Sequence, residues 1–400
     1  MQTRRLGLDP RMISMLLALA VIWIALEIAT NGLFLSPRNL YNLSIQGSAL
    51  SVIACGMVFV IVARQIDLSV GSLLACTGVV TAFTQVQWME DHPSVGWLAS
   101  IAVGLAVGAA VGAFQGWWIA YRGIPALIVT LSGYLMYRGA AFLVVQGQTI
   151  APLDETYQRL GGGPIGSLGS GPSWLAGALG CAWLAWYIWS TRRERAKYSD
   201  ERPPVWLDVA KVVVGIAAIL AFVAMMVAYP NRTQLGADGE PTGMGIGIPV
   251  FLLILVVVVL SFIAHRTRFG RHVFAYGGNP ESVLLAGINT RWLLVKIFII
   301  MGILSAIAAV ITTARLAAGA NSIGQLTELY AIAAAVIGGT SLAGGAGSVA
   351  GAVLGALVIQ SLENGMVMLE IEIAKRQIVI GLVLLAAGWF DVEYNKRWGR

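Results

Sequence analysis

The sequence predicts an all-α protein that crosses a membrane about twelve times, and at least ten times. Of its 400 residues, 58% are apolar and only 12% are charged, and the mean hydropathy is +0.78. A soluble protein of this size would need more polar residues to cover its surface. Because backbone groups in lipid must be hydrogen-bonded within their own segment, the long apolar runs are predicted to be helices rather than strands.

Twelve apolar segments, most of them near the roughly 20 residues that span hydrocarbon, are separated by short polar stretches. The first begins after Arg11 and lacks the small-residue cleavage site of a signal peptide, so we expect it to remain as an anchor. The tenth is short enough to be a half-helix or a re-entrant segment. The predicted segments are 12–30, 47–63, 68–86, 96–120, 125–145, 174–190, 207–229, 248–264, 294–315, 328–342, 346–363 and 376–390.

Positive charge predicts the orientation of these segments. With the N-terminus inside, and with residues at the ends of the apolar segments included, the cytoplasmic stretches hold 19 of the 26 Lys and Arg residues and the outer stretches hold six, while Arg138 lies deeper within a segment. This bias obeys the positive-inside rule, so both termini are expected in the cytoplasm. The bias also explains the net charge of +6 without a nucleic-acid partner. The basic run Arg192 to Lys197 is interpreted as a topology signal, with a contact to lipid or to a protein partner as the alternative.

Few ionisable residues lie within the segments, and such residues are costly enough in a membrane to suggest a function. Asp67 opens the third segment, where the helix dipole favours a carboxylate, so capping is expected ahead of substrate contact. Arg138 lies deeper and needs a carboxylate or carbonyl partner. Together with Glu27, Glu328 and Glu363, these residues are too scattered for the proton relay of an ion-driven carrier.

Glycine recurs at every fourth position in the fourth and eleventh segments. Such stripes let helix backbones approach closely where lipid supplies no hydrophobic force between helices. Close packing within one subunit is the favoured interpretation, and a dimer interface or a moving contact is the alternative. The glycines are Gly104, Gly108, Gly112 and Gly116, and then Gly347, Gly351 and Gly355.

A glycine-rich stretch, Ile337 to Ser348, falls in or near the membrane. Irregular backbone at that depth is tolerated only beside protein or a wet cavity. We therefore expect a chain reversal that lines the translocation path, with a plain cytoplasmic turn as the alternative.

The cytoplasmic stretch from His265 to Arg291 predicts a short helix outside the membrane. Asn279 suits the N-cap, Pro280 the first helical position and Gly287 the residue that ends the helix. A helix of about two turns is not stable alone, so its apolar side must dock on a partner or on the chain's own loops. That apolar side comprises Val283, Leu284 and Leu285.

The sequence indicates neither a metal site nor an enzyme. Cys55, Cys76 and Cys181 fall inside apolar segments and are expected to pack as hydrophobic residues, and the three histidines are scattered. The chain has no Walker-type glycine loop ending in Gly-Lys-Ser/Thr, so any nucleotide chemistry must come from a partner.

Four blocks of sequence, in order and at compatible spacing, resemble bacterial ABC sugar permeases of the ribose/xylose/galactose type. The resemblance runs from about Phe34 to Asp391, which implies a single permease domain over residues 1–400. The segments Gln115–Arg122 and Ser361–Met368, with an insertion at about 184–247, are most similar to the xylose branch. The four blocks are Gly56–Ser72, Pro125–Leu131, Phe269–Ile288 and Ala335–Gly345.

The resemblance implies a multi-pass permease of the bacterial inner membrane that works as a homodimer over two ATPase subunits. ATP and magnesium would bind the ATPase, and no cofactor would bind this chain. A periplasmic binding protein would deliver the monosaccharide and would meet the outer loops near Gln146–Ser173 and Tyr229–Gly247. Within the cytoplasmic loop 265–293, the implied coupling residues are Gly278, Asn279, Pro280, Glu281, Val283, Leu284, Leu285 and Gly287.

The expected function is import of a monosaccharide, D-xylose above the alternatives ribose, arabinose and galactose. An ion-coupled carrier working alone and a receptor or scaffold without transport are the alternatives from other classes. The candidate residues of the path or its gates are Asp67, Ser69, Arg138, Gly338, Gly339, Thr340 and Asn364.

Overall fold

The structure is a computed structural model that describes residues 10–89, 92–198, 204–235 and 241–398. Within these ranges the chain is almost entirely helical, and each of the twelve predicted segments is represented by a helix. The helices are α1 Pro10–Ala29, α2 Pro37–Val62, α3 Val70–Phe83, α4 Pro93–Arg122, α5 Ala126–Val145, α6 Glu155–Gln158, α7 Ser170–Tyr198, α8 Val205–Ala228, α9 Ile248–Arg266, α10 Arg268–Gly278, α11 Pro280–Leu285, α12 Thr290–Leu316, α13 Thr327–Ile337, α14 Val349–Met368 and α15 Ile373–Trp398.

Eight helices of the described ranges are long and apolar enough to cross a membrane, namely α2, α3 with the π turn that extends it to Trp88, α4, α5, α8, α9, α12 and α14. Shorter apolar helices occur at Ser14–Ala29 and at α13. With 11 residues, α13 rises only about 16 Å, roughly half of the hydrocarbon thickness. The half-helix expected near 328–342 is therefore present, and the predicted all-α membrane fold is confirmed.

The centre of the molecule is α2. In its most apolar window 89% of the residues are buried, against 11% in α8. Helices α9, α12, α13 and α14 pack against α2, and α3 and α12 are also largely buried. The outer helices α4, α5, α8 and α9 expose most of their apolar side chains, as helices in contact with lipid do.

Glycines bring α4 and α12 into backbone contact. A Cβ added at Gly108 would collide with the carbonyl oxygen of Gly302, and one added at Gly112 would collide with that of Phe298. The stripe in α14 does the same against α13, where Gly355 meets the carbonyl oxygen of Ala334. Both stripes therefore serve close packing within one subunit, the favoured interpretation of the sequence.

Helices α7 and α8 form a hairpin that spans much of the insertion predicted at 184–247 and joins the body mainly where α8 meets α2. An ion pair between Arg192 and Asp208 ties the two helices near their connection. The predicted basic loop Arg192–Arg202 is seen only in part, because residues 199–203 lie outside the described ranges, as do 1–9 and 399–400 at the termini.

The two predicted outer loops lie against each other. Leu168 N donates to Ile246 O at 3.1 Å, and Asn231 Nδ2 donates to Pro164 O at 3.0 Å. The second loop contains two short antiparallel strands, β1 Pro230–Leu235 and β2 Pro241–Gly243, which hydropathy did not predict. They lie between membrane helices, where the pairing of strands does not conflict with lipid.

Replacing Gly112 by Ala is expected to lower the thermal stability of the purified protein, because the added Cβ must push α4 away from the backbone of α12. Gly139→Ala in α5 is the matched control, since a Cβ there meets nothing within 4 Å. The control is expected to be neutral or stabilising by about 0.5–1 kcal/mol through helix propensity. Equal melting temperatures for the two variants in detergent would contradict the packing role.

Candidate functional site

A polar cavity of about 320 Å³ lies between α2, α12, α14, the start of α13 and the segment 317–326 that precedes it. It sits toward the predicted outer ends of the helices, since Gln46 is in the outer half of α2 and Arg315 is near the end of α12. Its floor is apolar and includes Leu50 and Ile53. The polar side chains that line it are Gln46, Thr312, Arg315, Gln325, Thr327, Tyr330, Gln360, Glu363 and Asn364.

Amides and hydroxyls dominate the polar lining of this cavity. Gln360 Nε2 donates to Gln46 Oε1 at 3.3 Å, so α14 and α2 are linked across the cavity wall. Asn364 Oδ1 is buried, and no hydrogen-bond partner for it is present among the described residues. Amide groups both donate and accept, as the hydroxyls of an uncharged, polar solute require. The cavity therefore suits a neutral ligand with several hydroxyl groups.

Arg138 bonds carbonyl oxygens of the backbone, which is one of the two kinds of partner, carbonyl or carboxylate, that the sequence predicted. Its guanidinium donates to the carbonyl oxygens of Asn321 and Ile323, the latter at 2.8 Å. These carbonyls belong to the irregular segment 317–326, which also carries Gln325 into the cavity, and Thr327 follows it as the first residue of α13. Arg138 does not line the cavity. It holds in place the segment that does.

Asp67 and Ser69 form a buried network at the start of α3, away from the cavity. Asp67 Oδ1 accepts hydrogen bonds from Ser69 N at 2.8 Å and from Ser69 Oγ at 2.7 Å. Ser69 Oγ in turn accepts from Gln115 Nε2 of α4 at 2.7 Å. Asp67 thus bonds Ser69, the N-cap residue of α3, whose own side chain makes no capping hydrogen bond. The network positions the start of α3, and the capping and substrate-contact roles expected for Asp67 stay predictions.

The glycine-rich stretch after α13 packs tightly and does not line this cavity. A Cβ at Gly338 would collide with the backbone of Gly351, and Thr340 is fully buried. Gly339 turns the chain with a φ of +85°. Of the seven predicted path or gating residues, the structure brings only Asn364 to the cavity. The irregular backbone beside the cavity is 317–326, which the glycine content of the sequence did not indicate.

The short cytoplasmic helix predicted from Asn279 to Gly287 is present as α11. Asn279 Oδ1 accepts a hydrogen bond from Ser282 N at 3.0 Å, and Gly287 ends the helix with a φ of +75°. Val283 is buried against the body, whereas Leu284 and Leu285 are 61% and 83% exposed. Leu284 and Leu285 therefore leave an apolar patch exposed on the side of the molecule that is predicted to be cytoplasmic.

Sequence reasoning missed most of the cavity, notably Gln46 and Gln360. For Gln360 the available signal was a polar residue inside the predicted apolar segment 346–363, which membrane helices rarely carry without a reason. Gln46 precedes the predicted segment 47–63, so the hydropathy pattern gave no such signal for it. Among the described residues there is no group of three or more His, Cys, Asp or Glu side chains that could hold a metal ion.

The known proteins that resemble this chain are permease components of transport systems. The family model described as "Branched-chain amino acid transport system / permease component" matches residues 39–388. The chain is 40% identical to the xylose transport system permease protein of Haemophilus influenzae over 387 residues, 96% of each chain. It is 38% identical to the xylose transport system permease protein of Escherichia coli K12 over 98% of this chain and 94% of that one. The ribose import permease protein of Escherichia coli K12 is 30% identical over 94% and 92% of the two chains. No solved structure matches.

Proposed function

The chain belongs to the family of branched-chain amino acid transport system permease components, and we propose that it is the membrane permease of an ABC importer for D-xylose. It is a multi-pass protein of the inner membrane and not an enzyme. The observation that carries the proposal is the 38–40% identity to xylose permeases over nearly the whole chain, against 30% for the ribose relative. An arabinose permease of Escherichia coli is also 30% identical.

The outer cavity is the proposed site through which the sugar passes. Its volume of about 320 Å³ falls within the roughly 300–1,000 Å³ of small-molecule sites. The amide pair of Gln46 and Gln360, with the unpaired oxygen of Asn364, offers donors and acceptors to sugar hydroxyls. A neutral sugar needs no charged path, and Arg315 and Glu363 are the two charged side chains among the residues that line the cavity. Charged groups can also accept from and donate to sugar hydroxyls.

The energy for import comes from a partner ATPase in this proposal. The chain has no nucleotide-binding glycine loop, so ATP and magnesium would bind the ATPase. Leu284 and Leu285 of α11 would enter a groove on that subunit, which explains why two leucines are exposed on a cytoplasmic helix. ATP binding there would shift the permease between outward- and inward-facing states through contacts that differ between them.

The remaining partners follow from the same arrangement. A periplasmic sugar-binding protein would dock on the outer surface that the segments 146–173 and 229–247 build together. The permease would act as a homodimer, one copy over each ATPase subunit, with membrane lipid around the exposed helices. In this assembly sugar enters the outer cavity and ATP acts at the opposite end of the molecule.

Uptake of labelled xylose tests the proposed function directly. Cells lacking only this gene are expected to lose xylose uptake and to regain it when the gene is restored. Unlabelled xylose should compete, whereas ribose, arabinose and galactose should not.

If another sugar blocks the uptake, that sugar would be the substrate, and the proposal that the chain is a sugar permease would still hold. Restored uptake that collapses with a protonophore but survives ATP depletion would overturn the ABC mechanism in favour of an ion-coupled carrier.

Replacing Leu284 by Glu is expected to abolish uptake, because a carboxylate at the docking surface of α11 would be buried without a partner. Leu284→Met is the matched control, since it keeps an apolar side chain of similar volume. Membrane insertion of both variants should be normal. Normal uptake by Leu284→Glu would contradict the proposed coupling role of α11.

Replacing Gln360 by Leu is expected to reduce the rate of xylose uptake by about three- to tenfold, the effect of one lost hydrogen bond. Gln360→Asn keeps the amide and should retain more activity than the Leu variant. Retention of the ATPase in the purified complex controls for assembly. Wild-type uptake by Gln360→Leu would show that the sugar does not pass this side chain.

A further inference from the structure

We propose that Arg64 is a positioning residue that transmits movement of the cytoplasmic helix α11 to α2 and thereby to the outer cavity. The inference rests on the proposed function, because it assumes that a partner ATPase moves α11. Neither the sequence patterns nor the family comparison gave Arg64 a role. The contacts on which the inference depends lie at the cytoplasmic end of α2.

Arg64 joins the end of α2 to the residues that lead into α11. Its Nε donates to Gly277 O at 2.7 Å, and its Nη2 donates to Gly278 O at 2.9 Å. These two carbonyls are the last of α10, and Pro280 begins α11 two residues later. The planar guanidinium reaches both acceptors at once, which a single ammonium group cannot do in the same geometry.

Glycine lets the end of α10 approach the end of α2 closely enough for these two hydrogen bonds of Arg64. A Cβ at Gly277 would collide with the carbonyl oxygen of Val62 and would lie 2.5 Å from Gly345 N. Gly345 N donates to Val62 O at 3.0 Å. The end of α2, the end of α10 and the glycine-rich stretch therefore meet at one point, and Arg64 lies over it.

The backbone at Arg64 indicates that its side chain is used. Arg64 N bonds Ile61 O and Gln65 N bonds Val60 O, the hydrogen bonds of a helix end that usually has glycine at this position. Arg64 has a φ of +59°, a left-handed conformation that disfavours a residue with a Cβ. Its side chain is exposed, so burial does not explain why arginine stands at this position. The two hydrogen bonds to carbonyl oxygens explain it.

The remaining link is α2 itself. Its 26 residues form an unbroken helix about 39 Å long, and Gln46 and Ala49 of its outer half line the cavity together with Ile53 just beyond its midpoint. A displacement of α11 pulls on Gly277 and Gly278, then on Arg64 and then on a rigid helix. The glycine-rich stretch moves with them because Gly345 is bonded to Val62.

Arg64→Gly is the decisive variant. Glycine is favoured at this backbone conformation, so the change removes the two contacts without adding strain. The complete complex of permease, ATPase and binding protein is reconstituted in proteoliposomes, and xylose uptake and ATP hydrolysis are measured together. We expect the sugar imported per ATP to fall by about tenfold, while ATP hydrolysis persists. Arg64→Lys should fall between the variant and the wild type.

A second readout follows the cavity directly. In a Cys181→Ser background, Ala49→Cys reports the access of an impermeant thiol reagent to the outer cavity. ATP should change its labelling in the wild type and should not in Arg64→Gly. Gly277→Ala should act in the same direction, because its Cβ forces apart the same contact. Gly139→Ala, which meets nothing within 4 Å, is the control.

An unchanged ratio of xylose to ATP in Arg64→Gly would overturn the proposal. Loss of the ATPase from the purified Arg64→Gly complex would also overturn it, because Arg64 would then hold the assembly rather than transmit movement. If the wild-type complex hydrolyses ATP and changes Cys labelling but moves no xylose, the substrate assignment fails. The labelling comparison would then still decide the role of Arg64.

Discussion

Close backbone contact at glycine is the interaction on which the rest of this structure depends. Lipid supplies no hydrophobic force between helices, so attraction must come from atoms that fit within van der Waals distance. Gly108 and Gly302 bring α4 onto α12, Gly355 brings α14 onto α13, and Gly277 brings the cytoplasmic loop onto α2. The first two contacts build the frame around α2. The third connects that frame to the cytoplasmic helices α10 and α11.

Two polar sites lie at opposite ends of this frame. The outer end holds the cavity with its amide groups, and the inner end holds α11 and the two hydrogen bonds of Arg64. Between them, α2 is packed mainly with apolar side chains and is almost fully buried. A single long helix therefore connects the outer cavity to the inner surface of the molecule.

Breaks in the helices leave irregular backbone on both sides of the half-helix α13. The irregular segment 317–326 precedes α13 and a glycine-rich stretch follows it. Backbone polar groups in such segments are costly in lipid unless protein or a wet cavity covers them. Arg138 bonds two carbonyls of the first segment. The second segment meets the cytoplasmic end of α2, where Gly345 N donates to Val62 O, and Leu342 within it is exposed.

The sequence by itself determined the helices, their orientation, the capped helix α11 and the family, because hydropathy, charge bias, capping residues and ordered blocks are local signals. Only the tertiary structure decided which residues meet. Gln46 and Gln360 lie 314 positions apart, and Arg64 lies more than 200 positions from Gly277. Pairing over such separations depends on how whole helices pack, which no local pattern encodes. For the same reason the partner of Arg138 was predicted in kind, as a carbonyl or carboxylate, but not in position.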